Sequence, residues 1–340
     1  MMAAMDRSVP AEAGKSVTMS KGGRGRVRSC DAPTVPAWAR GLAPGEASAD
    51  DSTSEVMPGL EASMTITRGA DAALVSVSID GVDEWTRESF HNASQALVRL
   101  SLEGLRGTGF EHAVRLWNFL PGICELIDGD LDRYRVFNMA RHREFEQRFG
   151  TAALRDGSLP TASCVGHAGR SIAVHALGAR EASRAVENPR QVPAYAYSNK
   201  YGPKPPSFSR AGVASFGSQR MLLIAGTASV LGEDSVHDGS LRAQCEETLV
   251  NLRAVAMSGK TVAGVVGASE SKALNGLCAT RVYYRHADQL AWLSDNLDGS
   301  LVGCREVEFV RADICRDELL VEIEAAIDLS ADRGGVGARG

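Results

Sequence analysis

The alternation of apolar and polar positions becomes regular near residue 60. Residues 62–68 and 73–79 repeat with a period of two, the period of strands with one face buried. The period then changes. Phe90, Ala93, Leu97 and Leu100 recur at three- and four-residue spacing within 85–105, and Gly107 and Gly109 follow, so the pattern predicts a helix that stops before the glycines. Further on, 221–225 reads as a strand, and Leu241, Cys245, Leu249, Leu252 and Val255 share one face of a second long helix. Residues 306–310 and 319–327 alternate again and close the pattern with two strands.

These elements fall into an internal repeat. The helix ending QALVRLSLEGLRGTG leads to the strand AVRLWNFLP and the helix-like LDRYRVFNMAR. In the second copy EETLVNLRAVAMSG leads to ATRVYYRHAD and then QLAWLSDNL. Both copies run helix, glycine-containing turn, aromatic-bearing strand with an arginine near its start, and second helix. The expected fold is therefore mixed α/β (α+β), two fused modules whose sheets carry helices on one face. The boundaries read as 56–185 and 186–330. Residues 1–55, rich in Ala, Gly, Ser and Asp without a sustained apolar period, are expected to be a disordered arm, and 331–340 a flexible tail.

Composition narrows the function. The chain has 340 residues, 44% of them hydrophobic, enough for one large or two ordinary cores. A net charge of -5 gives no footprint for nucleic acid, and the one basic cluster, 21–28, lies in the arm. No apolar run approaches the roughly 20 residues that cross a bilayer, and the N-terminus lacks the order of a signal peptide, so a cytoplasmic protein without a membrane partner is expected. Seven cysteines stand singly, without CxxC pairs or zinc-ligand spacing, which speaks against disulfides and metal. Most are expected to be small buried hydrophobes. The glycines of GVVGASES and GRGR lack the GxGxxG context, so no nucleotide cofactor is implied.

Several words of the sequence carry a resemblance. IAGTASVLG, SLRAQCEETLVNLRAV, RVYYRHADQL and LLVEIEAAI look like successive elements of the YjgF/RidA fold, a small module with ligand sites between subunits. RLWNFLPGI, LDRYRVFNMAR, ENPRQVPAYAYSNKYGPKPPSFSRA, GTASVLGEDSVHDGSLRAQCEETLVNL and ADICRDELLVEIE together resemble the chorismatase family, over about residues 60–329. That resemblance implies an enzyme acting on the small molecule chorismate, with no cofactor and no metal. It would release the enolpyruvyl group as pyruvate and form 3-hydroxybenzoate. A hydrolytic chorismatase giving a dihydroxycyclohexadiene carboxylate is the alternative within the family. An imine hydrolase of the RidA type or a non-catalytic metabolite-binding protein are the alternatives outside it. A fused pair of modules is expected to act as a monomer.

Chorismate carries two carboxylates, a vinyl ether and a ring hydroxyl, so its site needs cationic clamps and one acid. Arg135, Arg141 and Arg210 are candidates to bind a carboxylate, and Arg141 matches the family's substrate-binding arginine best. Helix arginines otherwise form solvated surface pairs. Tyr201 stands in a proline-stiffened loop and matches a substrate contact, while Arg285 ends the strand RVYYR and matches the arginine that RidA-like modules present between subunits. Glu322 is the implied general acid. Alternation turns Val321 and Ile323 away from its face, which it shares with Leu320 and Glu324. A carboxyl in a partly apolar cleft holds its proton to higher pH. Gly226 and Cys315 match the two positions that mark the 3-hydroxybenzoate type, with Ala228 an alternative to Gly226. Asp238 or Ser240 is the expected cap of the second long helix.

Overall fold

The computed structural model describes residues 26–30, 34–45, 52–57, 60–81, 85–127, 129–297, 299–301 and 304–330. The region read as a disordered arm supplies three elements: strand β1 (Arg26–Cys30), helix α1 (Ala37–Leu42) and strand β2 (Ser52–Met57). Val35, Ala39 and Ala43 are buried, and Trp38 meets Trp117 edge-on at 5.8 Å. A six-residue helix is too short to show a period, so the composition concealed a segment that tertiary packing holds in place. Residues 1–25 and 331–340 of the expected arm and tail lie outside the described residues.

The first sheet grows from strands β3 (Leu60–Arg68) and β4 (Ala73–Ile79), as their alternation required. Helix α2 (Arg87–Glu103) follows, its N-terminus capped by the Thr86 side chain, which accepts from the Ser89 amide. Its apolar face, Phe90, Ala93 and Leu97, packs over Val75 and Val77 of β4. Strand β5 (His112–Pro121), the small hairpin β6 (Leu126–Ile127) and β7 (Leu131–Asp132), and helix α3 (Arg133–Asp156) come next. Strands β8 (Thr161–His167) and β9 (Ile172–Ala179) complete the sheet.

The second sheet contains β10 (Arg184–Val186), β11 (Ala211–Phe216) and β12 (Gln219–Ala228). A hairpin, β13 (Val230–Leu231) and β14 (Asp234–Ser235), precedes helix α4 (Leu241–Val262). Ser240 caps α4, its side chain accepting from the Ala243 amide. Strand β15 (Leu277–Tyr284), helix α5 (Gln289–Leu297), and strands β16 (Glu306–Arg311) and β17 (Val321–Asp328) finish the fold.

The sheets have matching topology. The first is ordered β2-β3-β4-β9-β5-β8 and the second β1-β16-β15-β17-β12-β11-β10. In each, an antiparallel hairpin pairs with the last strand of the unit, which then pairs with the strand after the long helix (β3-β4-β9-β5-β8 against β11-β12-β17-β15-β16). The final pair is parallel in both, β5 with β8 and β15 with β16. β1 extends the second sheet in parallel with β16, and β10 joins its other edge.

Three cores follow from this arrangement. One lies between the first sheet and α2 and α3, one between the second sheet and α4 and α5. The third lies between the sheets, where Trp117, Phe119 and Leu177 meet Phe216, Met221, Leu223 and Tyr283. Helices therefore cover one face of each sheet, and the opposite faces cover each other. Each fully buried side chain of this size contributes roughly 1.5–3 kcal/mol. No helix among the described residues is long and apolar enough to cross a membrane.

Candidate functional site

At one end of the seam between the sheets, edge strand β8 approaches β12 and β17 and leaves a cavity of about 380 Å³. β8 is tied across the seam by a bridge from Thr161 to Ser209 and by the Gly166 amide donating to the Asp313 carbonyl at 2.7 Å. Helix α3, the loop before β11 and the segment 315–319 supply the remaining walls. The volume suits a ligand of one ring with short substituents.

Glu322 is buried in this wall, on the central strand β17, paired with Ala228 on one side and Tyr283 on the other. Its neighbours Val321 and Ile323 turn into the core under α4, as the alternation predicted. Burial, followed by the nearby Glu324 charge, pushes the Glu322 carboxyl up to about 8, against weaker opposing pulls from Arg115 and Arg210. At neutral pH the group holds its proton.

Gly226 lies where the β12–β17 register slips between Ile224 and Thr227. A Cβ there would overlap Glu322 Oε1, so glycine is what lets the carboxyl occupy its place. Ala228 also lines the cavity and stands directly opposite Glu322 in the ladder. Gly226 is the position whose lack of a side chain makes room for the acid. Cys315 lines the cavity from the segment before β17, and its thiol is pushed up to about 12 by burial and by the Glu322 charge. It is a neutral thiol beside the acid. Cys124 and Cys164 line the cavity too, a placement that single spaced cysteines did not announce.

Arg141, on α3, is 1% exposed. Its Nη2 donates to Asn138 Oδ1 at 2.9 Å, while Nε and Nη1 have no partner. Phe137 and Phe208 stack near it at 5.3 and 5.7 Å, and burial lowers its pKa from the usual arginine value. A buried guanidinium in a cavity wall with N–H groups left unpartnered has the donors to take a carboxylate. Arg210 is half-buried, donating to the Tyr197 hydroxyl at 2.6 Å, with its Nε unpartnered. Arg135 lines the mouth and is held by Asp132, the N-cap residue of α3, at 3.4 Å. Tyr201 lines the same mouth, its hydroxyl donating to Asp234 Oδ1 at 2.7 Å.

Arg285 differs from expectation. Its guanidinium does not line the cavity and instead donates to the carbonyls of Leu319, Ile314 and Arg316 at 3.0, 3.1 and 2.8 Å. A strand-end position fixes where the arginine starts, not which way its long side chain runs. It turns under the 314–319 segment, and so supports Cys315 from behind. The cation facing the cavity there is Arg316, stacked on Tyr201 at 3.9 Å and donating to the Glu233 carbonyl and Ser235 Oγ. Sequence reasoning passed over Arg316, Tyr134, Phe208 and Ser163, which join the lining. The one available signal for Arg316 was its position next to Cys315.

The fold and the site together define a two-module α/β protein with a protonated carboxyl and several arginines around a cavity sized for a small aromatic-like acid. Comparison with known proteins agrees. Residues 51–178 match the family described as chorismatase FkbO/Hyg5-like, N-terminal. The chain is 32% identical over 243 residues to the 3-hydroxybenzoate synthase of Streptomyces hygroscopicus, covering 70% of each protein. It is 31% identical over 239 residues to a chorismatase of Streptomyces rapamycinicus, covering 69% of this chain and 70% of that one. A chorismatase crystal structure superimposes with a TM-score of 0.68 at 27% identity, covering 78% of this chain and 77% of that one. The chain belongs to the chorismatase family.

Proposed function

We propose that this chain converts chorismate to 3-hydroxybenzoate and pyruvate, with Glu322 as general acid. The observation that carries the reading is a buried carboxyl whose pKa is pushed up to about 8, in the wall of a cavity also lined by Arg141, a buried guanidinium with unpartnered N–H groups. Arg141 takes one substrate carboxylate, and Arg210, Arg135 and Tyr201 receive the other toward the mouth. Glu322 gives its proton to the methylene carbon of the vinyl ether. The ring C–O bond then breaks, its electron pair stays with oxygen, and pyruvate forms. The adjacent ring hydroxyl oxygen closes on the vacated carbon to give an epoxide, and its proton returns to Glu322. Opening of the epoxide and hydrogen migration give the aromatic product. Atoms balance without water, since the two products together have the composition of chorismate.

Proton delivery by a positioned carboxyl supplies about 10²–10⁴ in rate. The aromatic product is favoured over hydrolysis by Gly226 and Cys315, which shape the wall around the acid, and by the similarity to a 3-hydroxybenzoate synthase. Arg285 is assigned a supporting role under the 314–319 segment. The reading takes the protein as cytoplasmic and monomeric, with modules meeting near residue 185 and both contributing walls to one site. Purified protein incubated with chorismate and no added cofactor tests it by chromatography with mass detection. Pyruvate with 3-hydroxybenzoate is expected. Pyruvate with the non-aromatic diol would replace the product assignment with the hydrolytic one, and unchanged chorismate would leave a metabolite-binding protein.

A further inference from the structure

Beneath Glu322, out of the cavity, lies a second glutamate with a full set of hydrogen-bond partners. Glu324 is two residues along β17 and so on the same face. Glu324 Oε2 accepts from Arg115 Nη2 at 2.7 Å and Ser163 Oγ at 2.8 Å, and Oε1 accepts from Trp117 Nε1 at 3.1 Å. Glu324, Arg115 and Ser163 are all buried. Three donors, two on β5 and one on β8, thus converge on the two oxygens of Glu324 and hold it in one place. Glu322 receives no hydrogen bond from the described residues, so nothing comparable stabilises its ionised form.

Ser163 joins this arrangement to the cavity wall. Its one hydroxyl proton goes to Glu324, and its oxygen accepts from Arg115 Nη2 at 2.5 Å and from the Gly226 amide at 2.9 Å. The hydroxyl is thereby saturated, and it ties Glu324 to the backbone of the residue whose missing side chain accommodates Glu322.

We propose that Glu324 is a positioning residue for the acid: it is locked by Arg115, Trp117 and Ser163 on the face of β17 that it shares with Glu322, is tied through Ser163 to the Gly226 amide, and acts on the acid from beneath. The inference rests on the assignment of Glu322 as acid. Other groups facing the pair are Arg115 on β5, Cys164 on β8, Arg281 and Tyr283 on β15, Arg210 and Cys315. Arg281 is itself paired with Glu308. Arg115 opposes Glu324 in its effect on Glu322, but the Glu324 influence is the larger.

The test is a pH titration of the protonated Glu322 carbonyl by infrared difference spectroscopy on the unliganded full chain, with Glu322→Gln identifying the band. In Glu324→Gln the midpoint is expected to fall by about one pH unit or more, because Arg115 is left unopposed. In Arg115→Met/Glu324→Gln, where a buried pair is replaced together and folding is better tolerated, the midpoint is expected between wild type and the single variant. Both variants should lose activity at alkaline pH in kcat, with KM kept, since Glu324 does not line the cavity. A wild-type midpoint in either folded variant would overturn the proposal. The titration needs no substrate, so failure of chorismate turnover would count against the assigned reaction and leave this result readable.

Discussion

The Glu322 carboxyl and residue 226 compete for one volume: Glu322 Oε1 lies where a Cβ on Gly226 would have to be. Gly226→Ala must therefore displace the carboxyl, since the backbone on both sides is held in the β12–β17 ladder. Misplacement by about 1 Å can cost on the order of 10²-fold in rate. Steady-state kinetics with chorismate should show kcat falling by roughly 10–100-fold with a smaller change in KM. An unchanged kcat would mean that the acid acts from another position.

Cys315 fills the space beside the acid with a neutral thiol. Cys315→Ala removes the sulfur and leaves room on the order of one water next to polar groups. Water can then compete with the ring hydroxyl. The product mixture resolved by chromatography should acquire the non-aromatic diol at the expense of 3-hydroxybenzoate. Exclusive formation of 3-hydroxybenzoate at the wild-type rate would show that the thiol has no part in partitioning.

Arg141 is a buried cation that lacks a carboxylate partner in the free protein, a state that costs stability. Arg141→Met retains length and apolar contact with Phe137 and Phe208. Thermal unfolding should move to higher temperature while kcat/KM falls by roughly 10²–10³, the loss of charge-assisted hydrogen bonds worth about 1.5–3 kcal/mol each. A lower Tm with unchanged kcat/KM would make the residue structural.

The raised pKa of Glu322 also couples stability to pH. The unfolded chain releases this proton near 4.5 and the folded protein near 8, so the stabilising effect is complete below about 4.5. It is lost as pH rises to 8, by up to roughly 5 kcal/mol for a fully buried group. Glu322→Gln removes that dependence. Denaturant titrations should therefore find the variant gaining on wild type between pH 5 and 8, and parallel curves would contradict a proton held by Glu322.

What could be read in the sequence depended on how far each signal reached. The period of α2 and the alternation of β17 are local, so Phe90, Leu97 and the facing of Glu322 were legible. Repeated helix and strand order also exposed the duplication that the two sheets display. β1 and α1 were not legible, because a short segment held by contacts such as Trp38 on Trp117 carries no period of its own. Arg285 was placed at the right strand end, yet its side chain turns to three carbonyls that only the folded 314–319 segment brings to it. Ser163 looked like one small residue among others in TASCVGH. Its role depends on Glu324 and Gly226, more than sixty residues away in the chain.

The most direct measurement compares pyruvate and 3-hydroxybenzoate release by wild type and Glu322→Gln at neutral pH, with folding and chorismate binding checked on the same samples. Loss of about 10²–10⁴ in kcat with binding kept is the predicted result for a general acid. A folded variant that turns over chorismate within tenfold of wild type would contradict the assignment of Glu322 as the proton donor.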